Sequence, residues 1–219
     1  MATWNNRELV FVHVPKTGGI SMLRALRHHD ITILGHDIRK PDFVSLADYK
    51  ATHPDCYAFA FVRNPWDRVV SAFFYLSRGG MSQADQLDNE RYLQGRDFGT
   101  FVREAFQNTD IFQQTHFRPQ HQWLGDGKQL VVDAVAGFEN LAYNFARYFM
   151  MFGLPPVLIP HDNQGEHEHF STYYDRETWD IVGRAYASDV RLFQYPADYP
   201  PSPVQTSPAR WLVSTDMQP

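Results

Sequence analysis

One pattern occurs twice in the first third of the chain and limits what it can fold into. A short apolar run rich in β-formers halts at a turn containing proline, then passes straight into an amphipathic helical pattern. The first run, residues 8–14, stops at Pro15 and leads through Lys16-Thr17-Gly18-Gly19 into residues 20–27, where Ile20, Leu23 and Leu26 recur at near-helical steps. The second, residues 56–62, turns at Arg63-Asn64-Pro65 and continues through residues 66–78, with Val69, Val70, Phe73, Phe74 and Leu76 marking one apolar side. Pro65 sits where a first helical turn tolerates it. A third apolar run over 130–138 precedes a helical pattern over 141–152 that Gly153 and Pro155 end. Three strand-then-helix units predict an α/β fold, a three-layer α/β/α domain around a central, mainly parallel sheet.

The remaining segments complete that outline. Residues 79–99 are rich in Gly, Gln, Asp and Arg with little periodicity and read as a mobile surface excursion. Residues 98–106 are weakly helical. Asp175 is placed to cap a last helix through Phe193, because Trp179, Val182, Tyr186 and Val190 recur at three- and four-residue steps. Six of the fourteen prolines fall between Pro196 and Pro219, so this tail is expected to form neither helix nor ladder. The reading is one domain over 1–195 and a Pro-rich C-terminal extension over 196–219, a size at which a single core is well supported. A net charge of −5 disfavours nucleic acid as a partner. A lone cysteine, Cys56, excludes an intrachain disulfide and a thiolate metal site. No stretch approaches a membrane span and the first residues lack a secretion pattern, so a cytoplasmic protein is expected.

Chemistry concentrates at the first two strand-to-helix turns. In His13-Val14-Pro15-Lys16-Thr17-Gly18-Gly19-Ile20-Ser21, the glycines let backbone approach an anion. The new helix aims free N–H groups at that anion, and Lys16 adds a full charge. The lysine precedes the glycines and no upstream glycine opens the loop, which departs from the G-x-x-x-x-G-K-[ST] loop of nucleoside-triphosphate enzymes. In Arg63-Asn64-Pro65-Trp66-Asp67-Arg68-Val69-Val70-Ser71, Arg63 leaves the carboxyl end of a strand and Ser71 lies about two turns into the helix. A guanidinium fork with a hydroxyl suits a phosphate monoester, while Asp67 and Arg68 read as a surface pair.

Together PKTGGIS and RNPWDRVVS resemble the two donor-binding motifs of the sulfotransferase family, and the resemblance extends over roughly residues 8–195. Segments at 116–120, 137–141, 160–163 and 173–178 resemble its carbohydrate (Golgi-type, sulfotransferase family 2-like) branch. The resemblance implies a P-loop-NTPase-like sulfotransferase fold and 3′-phosphoadenosine-5′-phosphosulfate (PAPS) as donor. The product would be adenosine 3′,5′-bisphosphate (PAP). Lys16, Thr17, Gly18, Gly19, Ile20 and Ser21 would bind the 5′-phosphosulfate; Arg63 and Ser71 would bind the 3′-phosphate. His36, in Leu34-Gly35-His36-Asp37, resembles the segment that supplies the base in uronyl 2-sulfotransferase relatives, with His116, His161 and Glu139 in reserve. Lys16 would stabilise the departing phosphate oxygen.

Other conspicuous residues take plainer readings. Phe73, Phe74 and Tyr75 are expected in the core, and Glu166-His167-Glu168-His169 lacks the helical H-E-x-x-H spacing, so no metal is expected. His116, Arg118, Gln120 and His161 are candidates for contacting a hydroxyl-bearing small molecule or glycan. Oligomeric state is not encoded legibly. Two rival readings remain open at this stage, a nucleotide-dependent small-molecule kinase and a non-catalytic nucleotide-binding module.

Overall fold

The computed structural model describes residues 1–155 and 167–201, and the backbone of 212–213, of the 219-residue chain. In chain order the strands are β1 (Thr3–Trp4), β2 (Arg7–Val12), β3 (Thr32–Leu34), β4 (Tyr57–Val62), β5 (Ala134–Gly137) and β6 (Leu212–Val213). The helices are α1 (Gly19–Leu26), α2 (Leu46–Thr52), α3 (Pro65–Ser77), α4 (Gln83–Asp88), α5 (Phe98–Ala105), α6 (His121–Leu124), α7 (Leu141–Phe152), α8 (Arg176–Ala185) and α9 (Ala187–Leu192). Two compact units emerge: Met1–Arg63 with Gln120–Asn163 and Thr206–Pro219, and Asn64–Pro119 with Gln164–Gln205. Among the described residues no helix is long and apolar enough to cross a membrane.

The first unit holds the sheet. β2 pairs in parallel with β3 on one side and β4 on the other, and β4 pairs in parallel with β5. β1 and β6 are antiparallel additions to β2 and β5. The fold is therefore α/β with a central, mainly parallel sheet, as the three repeated units require. Alternation divides its side chains. Leu9, Phe11, Tyr57, Phe59, Phe61, Ala134 and Ala136 form one core with Met22, Ala25 and Leu26 of α1 and Phe145, Tyr148, Phe149 and Phe152 of α7. Val10, Val12, Ala58, Ala60 and Val62, pointing the other way, are buried too. Burial on both faces is why β2 and β4 read as nearly unbroken apolar runs. The third strand is shorter than its apolar run. Val131 and Val132 donate their N–H groups to the Leu124 carbonyl, at 2.8 and 3.2 Å, and the chain meets the sheet at Asp133, whose N–H donates to the Ala58 carbonyl at 2.9 Å, with β5 itself starting at Ala134. The pairing of Leu212–Val213 with β5 likewise departs from the expectation that the Pro-rich tail makes no ladder.

The second unit is built on aromatic packing. Trp66, Val69, Val70, Phe73 and Leu76 of α3 share a core with Phe98, Phe101 and Val102 of α5 and Trp179 and Val182 of α8. The Trp66 and Trp179 rings stack at 4.3 Å, and the Trp66 indole N–H donates to the Trp179 carbonyl at 3.0 Å. Phe73 is core, with Phe74 and Tyr75 packed half-buried against it. Three expectations are corrected here. Residues 79–99 are structured: Ser82 caps α4 by accepting from the Asp85 N–H, and one wide turn over Asn89–Leu93 buries Leu93. The last helix breaks at Tyr186, whose backbone leaves helical geometry and whose buried hydroxyl donates to the Phe117 carbonyl at 2.6 Å. Arg68 is no surface residue. It is 1% exposed, and its guanidinium donates to the Arg118 carbonyl at 2.7 Å, which gives the buried charge a partner.

One carboxylate ties the amino-terminal edge of the sheet together. Asp133 accepts from Arg7 at 2.8 Å, from Lys50 at 2.6 Å and from the Ala58 N–H at 2.8 Å. Asp133→Ala leaves two cations and a strand amide without this acceptor. We expect it to lower unfolding free energy by about 2–3 kcal/mol, read as a reduced denaturation midpoint at unchanged m-value; an unaltered midpoint would show the cluster to be ornamental.

Candidate active site

The carboxyl ends of β2, β4 and β5 converge in the first unit, where open α/β sheets collect ligands. The turn after β2 carries the strongest anion-binding features. Lys16 adopts a left-handed backbone, φ 68°, and Gly18 does so again at φ 80° before Gly19 opens α1. Left-handed and right-handed residues in succession turn neighbouring N–H groups to one side, making a concave nest for an anion at the positive end of the helix. For lysine, the left-handed conformation costs ~1–2 kcal/mol. It also presents the Lys16 carbonyl to Arg63, whose Nη1 donates to it at 3.2 Å. A hydrogen bond from a charged donor contributes about 1.5–3 kcal/mol, enough to offset that cost.

Arg63 is held from three sides. Gln120, fully buried, accepts from the Arg63 N–H at 2.9 Å and donates to the Arg63 carbonyl at 2.8 Å, so its amide completes the backbone pairing at the end of β4. The guanidinium lies 4.4 Å from the centre of the Phe138 ring, just after β5. Phe138 also packs against the nest. A side chain on Gly18 would come within 2.8 Å of Leu141 Cδ2 and 3.0 Å of Phe138 Cε2, so glycine is needed there for both space and backbone angle. The structure thus brings together Lys16, Gly18 and Arg63. Phe138 is a supporting residue to which the sequence assigns no role; Gln120, which the sequence leaves open as an acceptor contact or a polar loop anchor beside Pro119, clamps the backbone of Arg63.

The other residues of the turn divide by exposure. Thr17 is fully buried, and its hydroxyl donates to the Val14 carbonyl at 2.9 Å, closing the turn. Ser21 is buried in the first turn of α1, while Ile20 is exposed. At Gly19 a side chain would collide with the His13 ring, its Cβ falling 1.7 Å from Nε2. His13 in turn meets His36: the two Nδ1 atoms are 2.8 Å apart and the rings lie edge to face at 4.2 Å. The register of β2 with β3 produces this meeting, because Val12 is opposite Leu34 and the His13 N–H donates to the Leu34 carbonyl at 3.1 Å. Asp37 follows. Burial alone would raise its carboxyl, but hydrogen bonds from the Arg39 side chain and backbone, together with the Arg39 charge, hold it below the usual carboxylate range.

Of the remaining predicted residues, Ser71, His116 and Arg118 belong to the second unit and Glu139 to the first. Ser71 is half-buried on α3 of the second unit, a helix that Asn64 caps by accepting from the Trp66 and Asp67 N–H groups at 3.0 and 3.4 Å. His116 is buried in the same unit, its Nδ1 3.0 Å from Gln114 Nε2 and its ring 4.8 Å from that of Tyr75. Arg118 is half-buried there, with burial lowering its guanidinium from the ordinary value. Glu139 lies in the turn between β5 and α7. His161 is outside the described residues. Among the described residues, no three His, Cys, Asp or Glu side chains cluster as a metal site requires.

An uncharacterised protein of Archaeoglobus fulgidus is 28% identical over 100 residues, covering 46% of this chain and 70% of that one. The crystal structure of a sulfotransferase from Alicyclobacillus acidocaldarius aligns over 84% of this chain and 93% of its own, at 17% identity and a TM-score of 0.41. The profile of the sulfotransferase family matches residues 3–196. With that match spanning both strand-to-helix motifs and most of the sequence, the chain belongs to the sulfotransferase family.

Proposed function

We propose that the protein transfers the sulfuryl group of PAPS to a hydroxyl, on a carbohydrate or another small alcohol, by in-line displacement. The observation that carries the reading is the 3.2 Å contact from Arg63 to the Lys16 carbonyl, by which the two phosphate-directed motifs converge. An anion seated on the amides of Lys16–Ser21 and a second phosphate on Arg63 would belong to one adenosine bisphosphate. In the resemblance Ser71 shares the 3′-phosphate, and His116, Arg118 and His161 meet the acceptor.

The chemistry asks little covalent work of the chain. The acceptor oxygen bonds to sulfur as the bond from sulfur to the bridging phosphate oxygen breaks; the hydroxyl proton passes to His36, and PAP leaves. Lys16 and the turn amides meet the charge that develops on the leaving oxygen. His36 stands within the first unit beside the donor turn, linked to it through His13. Cys56 is a buried thiol that burial pushes up, and it is thereby a poor nucleophile.

Calorimetry with PAP tests the donor assignment directly. Wild-type protein is expected to bind it, and Arg63→Ala to bind roughly tenfold to a hundredfold more weakly; no affinity in the wild type ends the proposal. Transfer is tested with labelled PAPS and a mixed panel of saccharides and alcohols, reading products by mass. Lys16→Ala should lose on the order of 10²–10³ in turnover. Magnesium-dependent ATP consumption without sulfated product would instead favour a kinase.

A further inference from the structure

We propose that His13 is the positioning residue of the base: it holds His36 in the tautomer that can take a proton at Nε2, and it ties that base mechanically to the donor turn. The inference rests on the reading of His36 as base.

Two neutral imidazoles meeting through their Nδ1 atoms at 2.8 Å share one proton between those atoms. Either His13 donates and His36 accepts, or the reverse. In the first case neutral His36 carries its proton on Nε2 and cannot act as a base there. In the second, the His36 Nδ1–H donates to His13, the lone pair of His36 is on Nε2, and His13 carries its own proton on Nε2. Uptake of the acceptor's hydroxyl proton then gives a His36 imidazolium with N–H on both nitrogens, and its Nδ1–H still donates to His13. No other proton has to move. A neutral imidazole thus fills the orienting place that a carboxylate fills in a Ser-His-Asp triad.

Three contacts make His13 fit for the task. Its backbone N–H donates to the Leu34 carbonyl at 3.1 Å, its ring stacks with that of Phe11 at 6.2 Å, and its Nε2 side lies where Gly19 lacks a side chain. The ring is buried, so its rotamer is fixed by packing. His36 sits in a half-buried segment without regular structure just beyond β3, where a free imidazole would sample many orientations. The glycine that opens α1 therefore has a second duty. Besides exposing backbone amides, Gly19 makes room for the ring that aims the base. Charged neighbours of the pair are Asp37 and Arg39, bonded to each other at 2.8 Å, and Lys16 three residues beyond His13.

The test compares His13→Phe, which keeps a ring but removes the acceptor, with His13→Asn, whose Oδ1 stands near the position of Nδ1. Turnover and pH–rate profiles are measured with labelled PAPS and the mixed acceptor panel, alongside PAP binding by calorimetry. We expect His13→Phe to lose about 10–100-fold in kcat and to shift the acid limb, with PAP affinity within a few-fold of wild type. His13→Asn should recover most of the loss. If His36→Gln retains wild-type turnover, the base assignment itself fails. If His36→Gln is inactive while His13→Phe keeps wild-type kcat and acid limb, the role of His13 is overturned. Nitrogen-15 histidine spectra of the wild-type protein decide the matter even if a variant does not fold. His36 as the Nδ1–H tautomer supports the proposal, and His36 as the Nε2–H tautomer refutes it.

Discussion

The hydrogen bond from the Arg63 guanidinium to the Lys16 carbonyl is the contact on which the first unit's site depends. It gives the Lys16 carbonyl a charged donor, which offsets the cost of the left-handed backbone at Lys16. The same bond links the turn after β2 to the residue that follows β4.

Packing around this contact leaves few positions independent. Phe138 lies under Arg63 and against Gly18, Gln120 pairs with the Arg63 backbone, and His13 occupies the space beside Gly19. Phe138 follows β5, His13 follows β2 and Gln120 precedes α6, so separate elements hold these short turns in fixed geometry. Preorganisation of this kind matters for sulfuryl transfer because the protein supplies position and charge and little covalent chemistry. The two histidines extend the arrangement outward from the donor turn to the neighbouring segment after β3.

The strands and first helices were legible because both faces of the sheet are buried, and the turns after β2 and β4 carried their chemistry in consecutive residues. What could not be read depended on partners distant in sequence. Arg68 looks like a surface charge until the Arg118 carbonyl is beside it. The apolar period of the last helix runs straight through Tyr186, where the break is accompanied by a hydroxyl bond to the Phe117 carbonyl and ring contacts with Phe106 and Phe112. Residues 79–99 are polar, yet a serine cap and a buried leucine are enough to order their middle. His13 opens the first motif with no role legible there, since its meaning comes from the register of β2 with β3 and from a glycine six residues later.

The central claim is that one adenosine bisphosphate spans the turn after β2 and the guanidinium after β4. Titration of nitrogen-15-labelled protein with PAP, followed at backbone amides and arginine Nε–H resonances, tests it most directly. The account predicts saturable shifts at Thr17, Gly18, Gly19 and the Arg63 side chain with one common dissociation constant. Shifts at only one of the two segments, or separate constants for each, would contradict it.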